Sequence, residues 1–184
     1  MTFDQERAIQ RLTRMPLFPF EGEFKLKDLT PLMDAEYQRS GEGDSPCNRC
    51  STEDGILWRK GPWTLAPIFA SANPVGLFLE TVDHIDFEDF DDEMAADYGI
   101  ITRHLEAAIR AQSSVGRVHI HRYADGSSHF HVWFQGRPAR QLELYGWGNN
   151  VWAQVLPPLP QDVIDAHHAA VLEAFVASYG GELV

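Results

Sequence analysis

Gly126-Ser127-Ser128-His129-Phe130-His131-Val132-Trp133-Phe134 runs from a glycine-containing turn into alternating histidine and apolar residues. Successive side chains of a β-strand point to opposite faces. As a strand over 128–134, this segment puts His129, His131 and Trp133 on one face and Phe130, Val132 and Phe134 on the other. The second face is the one that should meet a core. Just upstream, Asp125-Gly126 supplies a turn, and residues 117–123 alternate before it, which predicts a hairpin. There Val118 and Ile120 share a face, and His119 and His121 share the opposite one. If the two apolar faces pack together, four histidines lie on one side of the hairpin. A one-residue slip in register would undo this arrangement.

Further outward, Met94, Tyr98, Ile101, Leu105 and Ile109 recur at spacings of four and three, predicting a helix over 92–112 with one apolar stripe. Asp89, Asp91, Asp92 and Glu93 open it, and carboxylates offset the positive end of a helix. Three strands are expected earlier, over 56–60, 63–69 and 75–82, the last delimited by Asn73-Pro74. Ala8, Ile9, Leu12 and Met15 predict a short amphipathic helix ended by Pro16. Residues 138–160, rich in Pro, Gly and Trp, are expected to be irregular. A helix over 162–179 buries Ile164, His168, Val171 and Phe175 and stops at Gly180-Gly181. The fold class is α+β, with an antiparallel sheet of about five strands and a long helix packed on it.

The chain has 184 residues, enough for one domain with a real core. No apolar run approaches the roughly 20 residues that span a bilayer. The start, Met1-Thr2-Phe3-Asp4-Gln5-Glu6, lacks the basic and apolar segments of a signal peptide, so a cytoplasmic location and no membrane partner are expected. The net charge of −12 argues against holding a nucleic-acid polymer by general attraction. A small phosphorylated ligand needs only a few local donors and stays open.

Both cysteines sit in Cys47-Asn48-Arg49-Cys50. That spacing serves metal binding or redox exchange. A redox pair usually leads a helix, whose terminus lowers the thiol pKa. Here Ser51-Thr52-Glu53-Asp54-Gly55 and a strand follow instead. Half of a tetrahedral zinc site would need two histidines from elsewhere, and His84 and His129 stand out as candidates. From spacing alone, zinc and free thiols remain open.

These residues together resemble the histidine triad superfamily. Its signature strand alternates histidine with apolar residues after a Gly-containing turn, as 126–134 does. The strand ending Thr81-Val82-Asp83-His84, the acidic Phe90-Asp91-Asp92 and the long helix follow the family's order. The CxxC is similar to that of bacterial members and of the galactose-1-phosphate uridylyltransferase branch. The likeness covers about residues 47–138, and the whole chain is expected to be one such domain, with extensions at 1–46 and 139–184.

The resemblance implies a structural zinc ion on Cys47, Cys50, His84 and His129. It implies that His131, the second histidine of the signature, attacks an α-phosphorus. The expected function is a nucleotidyl hydrolase or transferase acting on a nucleoside phosphate, phosphoramidate or dinucleoside polyphosphate. The alternative is a nucleotide-binding or protein-interaction module on the same scaffold. That alternative arises because Trp133 stands where the family has a third histidine or a glutamine. Indole donates one N–H and cannot carry a proton. His121, Ser127, Ser128, Trp133 and Gln135 are the expected substrate contacts, and the family's pairing implies a homodimer.

Overall fold

A computed structural model describes residues 4–51 and 55–184. Expectations that involve residues 1–3, or 52–54 after Cys50, lie outside the described residues. The chain opens with α1 (Gln5–Thr13), capped by the Asp4 carboxylate accepting from the Arg7 N–H. Three strands follow, β1 (Trp58–Lys60), β2 (Trp63–Pro67) and β3 (Val75–Thr81). After a single 3-10 turn come α2 (Asp92–Arg110), β4 (Val115–His121) and β5 (His131–Pro138). The chain ends with α3 (Gly148–Trp152), α4 (Gln161–Tyr179) and β6 (Glu182–Leu183).

All strand pairs are antiparallel, in the order β4-β5-β3-β2-β1-β6. The α+β architecture is the expected one, with a sixth strand at the far edge. That strand depends on Gly181, where φ is +92° and an added Cβ would lie 2.3 Å from the Trp58 indole nitrogen. The close approach lets Trp58 Nε1 donate to Gly180 O at 2.9 Å.

Helix α2 forms because Asp91 caps Met94 N at 2.8 Å and the predicted stripe has a core to meet. Ile101, Leu105 and Ile109 are fully buried, with Met94 and Tyr98 packed against them in part. The predicted α4 stripe is also buried. Both helices cover one face of the sheet, where Leu65, Leu77, Leu79, Val132, Phe134 and Phe175 join a single core. Each such fully buried side chain contributes roughly 1.5–3 kcal/mol.

The hairpin register is the one the apolar faces required: Ile120 lies opposite Phe134, and His121 opposite Trp133. Its boundaries differ from the expectation. β4 starts and ends two residues earlier, and β5 starts at His131 and runs to Pro138. Residues 128–130 bend away because Phe130 N donates to Ile85 O and Ser128 N to Ser40 O, outside the sheet ladder. β1 likewise begins at Trp58 rather than at 56. β2 stops at Pro67, which has no N–H for a ladder. Residues 138–160 are less irregular than expected, holding a 3-10 turn and α3.

Candidate active site and metal centre

At the end of β3 the chain brings Cys47, Cys50, His84 and His129 together, with their ligand atoms all within 4.8 Å of one another. The Cys50 sulfur lies 3.3 Å from His84 Nδ1 and 3.4 Å from His129 Nδ1, and the Cys47 sulfur 3.6 Å from His129 Nδ1. A tetrahedral zinc ion with ordinary bond lengths separates sulfur from nitrogen by about 3.5 Å. The far nitrogens are already committed: His129 Nε2 donates to Thr81 O at 2.7 Å and His84 Nε2 to Gly41 O at 3.1 Å. A proton on each Nε2 leaves each Nδ1 lone pair facing the sulfurs, the orienting arrangement typical of metal-binding histidines. Burial lowers the His129 pKa, which keeps its ring neutral. Burial works against the Cys47 thiolate, but N–H groups of the CxxC turn outweigh it and the thiol pKa falls. At Cys50 burial and the neighbouring sulfur raise it. The donor set and geometry fit a metal held by four protein ligands.

Gly41 completes this corner without any signal in the sequence. Its φ is +84°, and a Cβ there would sit 2.3 Å from the His84 ring and 3.1 Å from Cys47 Cβ. The run of glycine and acidic residues before the CxxC was readable only as a loop. Ser40 in the same loop joins the turn before His129: Ser40 N donates to Gly126 O, and Ser127 and Ser128 hydroxyls both donate to Ser40 O. Ser127 Oγ also accepts from His129 N. The two serines thus tie the signature turn to the N-terminal segment. Asp86 adds a second tie by pairing with Arg39 and Arg122. Burial opposes ionisation of Asp86, yet the Phe87 N–H and both guanidiniums hold its pKa low.

His131 is the first residue of β5 and is half-buried on the face away from the helices. Its Nδ1 donates to His129 O at 2.9 Å, which leaves the Nε2 lone pair outward. Across the sheet its row continues through Glu80 and Thr64 to Arg59. Glu80 is buried against Arg49 of the CxxC turn. Burial raises its pKa, and the guanidinium offsets part of that.

The next row is aromatic. Trp133 meets Phe78 edge-on at 4.6 Å, stacks with His121 at 5.6 Å and touches Phe69 at 6.0 Å. His121 has both ring nitrogens buried without a partner among the described residues. Burial, aided by the neighbouring His119, pushes its pKa down to about 4. Burial also lowers His119. Gln135 is buried, and its oxygen accepts from Asn149 of α3 at 3.1 Å, so the C-terminal segment reaches this face. Of the expected substrate contacts, Trp133 lies in the row after His131 with His121 stacked on it, Gln135 lies beyond them, and Ser127 and Ser128 flank His129 in the preceding turn.

No family model matches the chain, and no curated protein matches it. Solved structures do. A histidine triad protein from Bradyrhizobium japonicum matches at 16% identity and TM-score 0.56, over 71% of this chain and 97% of that one. A histidine triad protein from Sinorhizobium meliloti matches at 16% identity and TM-score 0.53, over 71% and 96%. A hypothetical histidine triad nucleotide-binding protein from Sulfolobus tokodaii matches at 10% identity and TM-score 0.53, over 73% and 97%. These matches do not bear on the likeness to the uridylyltransferase branch. Among the described residues no helix is long and apolar enough to cross a membrane. By topology and by these matches, the chain has the fold of the histidine triad proteins.

Proposed function

We propose that the chain is a nucleotidyl hydrolase or transferase with His131 as nucleophile and a structural zinc ion on Cys47, Cys50, His84 and His129. The observation that carries this reading is the hydrogen bond from His131 Nδ1 to His129 O. The carbonyl that fixes the imidazole tautomer belongs to the residue whose side chain faces the two sulfurs. Zinc, when bound, supplies rigidity there and no open coordination position. His131 Nε2 attacks the α-phosphorus, a P–N bond forms, and the bond to the leaving group breaks with its electron pair. Water, or an acceptor hydroxyl, then attacks phosphorus and gives its proton to solvent, while the P–N bond breaks with its electron pair returning to Nε2 and the nucleotide is released. The aromatic row at Phe69, Phe78 and Trp133 offers ring faces and edges to a base, with His121 beside them. Ser127 and Ser128 act through the turn they fix.

A second reading, a nucleotide-binding or protein-interaction module, is favoured by one observation: Trp133 replaces the proton carrier of the signature. A homodimer belongs to either reading. β4 is a free edge of the sheet, and Ile120 on it and Ile100 on α2 are exposed.

The test is turnover. Purified protein is offered adenosine and guanosine phosphoramidates and dinucleoside polyphosphates beside His131→Ala. Turnover that disappears in the variant supports the enzyme. Nucleotide binding with no turnover in either protein supports the module. Metal analysis of the same preparation should give one zinc per chain, and light scattering reads the assembly state.

A further inference from the structure

Beside the metal centre a pocket of about 330 Å³ opens over the row that leads to His131. Its lining includes Arg49, Arg59, Lys60, Thr64 and Glu80. Two guanidinium groups, Arg49 and Arg59, therefore stand beside one carboxylate, in a chain whose net charge is −12. Arg49 is engaged with Glu80, and Lys60 donates to Tyr179 O at 2.6 Å while lying over the Tyr179 ring. Arg59 makes no ion pair with any described residue. Glu182 is its Cα partner on β6, yet lies outside ion-pair distance. The register runs Arg59, Thr64, Glu80, His131 across adjacent strands. Three strand spacings, about 14 Å, separate the Arg59 backbone from that of His131, with Thr64 and Glu80 between them. A short phosphate chain leaving from His131 can reach the pocket.

Resting on His131 as nucleophile, we infer that this pocket is an anion subsite that receives the phosphate chain of the leaving group. The chemistry of the departing atom favours that occupant. An amine expelled from a phosphoramidate must be protonated as it leaves, and Trp133 carries no proton to give. A phosphate oxygen expelled from a polyphosphate keeps the electron pair of the broken P–O bond and departs as an anion. Guanidinium groups stabilise that charge without transferring a proton. Trp133 and Arg59 then fit one substrate class: a nucleotide whose α-phosphate carries a further phosphate chain, in preference to one carrying an amine.

Two measurements test this. Tripolyphosphate is titrated calorimetrically into the full chain, into Arg59→Ala and Arg59→Gln, and into Arg11→Ala as a surface control. Loss of one charged donor is expected to weaken binding about tenfold in both Arg59 variants and to leave the control unchanged. Turnover of a diadenosine polyphosphate should fall by a similar factor in kcat/KM, with an adenosine phosphoramidate unaffected. Equal tripolyphosphate affinity in the wild type and both Arg59 variants overturns the subsite, whatever the turnover. Full turnover by His131→Ala overturns the nucleophile instead, and the titration still judges the pocket.

Discussion

His129 and His131 stand two residues apart, one in the bend before β5 and the other at its first position, and their surroundings are opposite. At His129 every polar atom is committed: one nitrogen faces two sulfurs, the other meets Thr81 O, and the backbone N–H meets Ser127. At His131 one nitrogen is bonded and the other is left over. Beyond it, His121 has no partner for either nitrogen among the described residues. A corner with all its bonds made supports the fold, whereas a face with bonds left open waits for a ligand.

Loss of the metal should separate the two histidines' roles most strongly. Replacing Cys47 and Cys50 together by serine should abolish zinc binding and cost about 3 kcal/mol or more. For a chain of this size that lowers the melting midpoint by roughly 6–12 °C. Metal analysis and calorimetry read both effects, and an unchanged midpoint in the metal-free variant would mean the corner does not support the fold. His131→Ala should do the reverse. Its stability should stay within about 1 kcal/mol of wild type, because a half-buried ring with one bond is lost. Its turnover should fall by about a thousandfold or more. A variant that kept its activity would return His131 to an ordinary strand position.

Trp133→His sharpens the open side. A histidine there would restore a group able to protonate a departing amine, so phosphoramidate turnover should rise by about a hundredfold. Turnover of an anionic leaving group should change far less. An equal rise for both would show that Trp133 acts by its bulk and not by its missing proton.

The closed corner was far more legible in the sequence than the open face. Val132 and Phe134 announce the buried side of β5 by alternation, and with it the opposite face that carries His131. Cys47, Cys50 and His84 were named by ligand chemistry and by their order along the chain. Gly41 was hidden because only its approach to the His84 ring demands glycine, and that approach spans 43 positions. The pairing of Arg49 with Glu80 was hidden for the same reason. α3 and its Asn149 lay in a stretch whose composition signalled only irregularity. β6 has two residues, too few for any period to show. Contacts between residues far apart in the chain leave no periodic trace, in the corner as on the open face.

The smallest effect concerns protons on the open face. His121 titrates at about 4 in the fold, whereas an imidazole in the unfolded chain titrates near 6.5. Between those two values the unfolded state binds the extra proton and the folded state does not. Stability therefore falls as pH drops from about 6.5 and levels off below about 4. His121→Gln should flatten this part of the curve, as read by denaturant titration at several pH values. The stack on Trp133 gives a direct reading as well. An imidazolium 5.6 Å from the indole should quench its emission with a midpoint near pH 4. The wild-type minus His121→Gln difference isolates that signal from the other four tryptophans. A midpoint near 6.5 would mean that His121 is as well solvated as a surface histidine, and the face would then be less dry than the unpartnered nitrogens require.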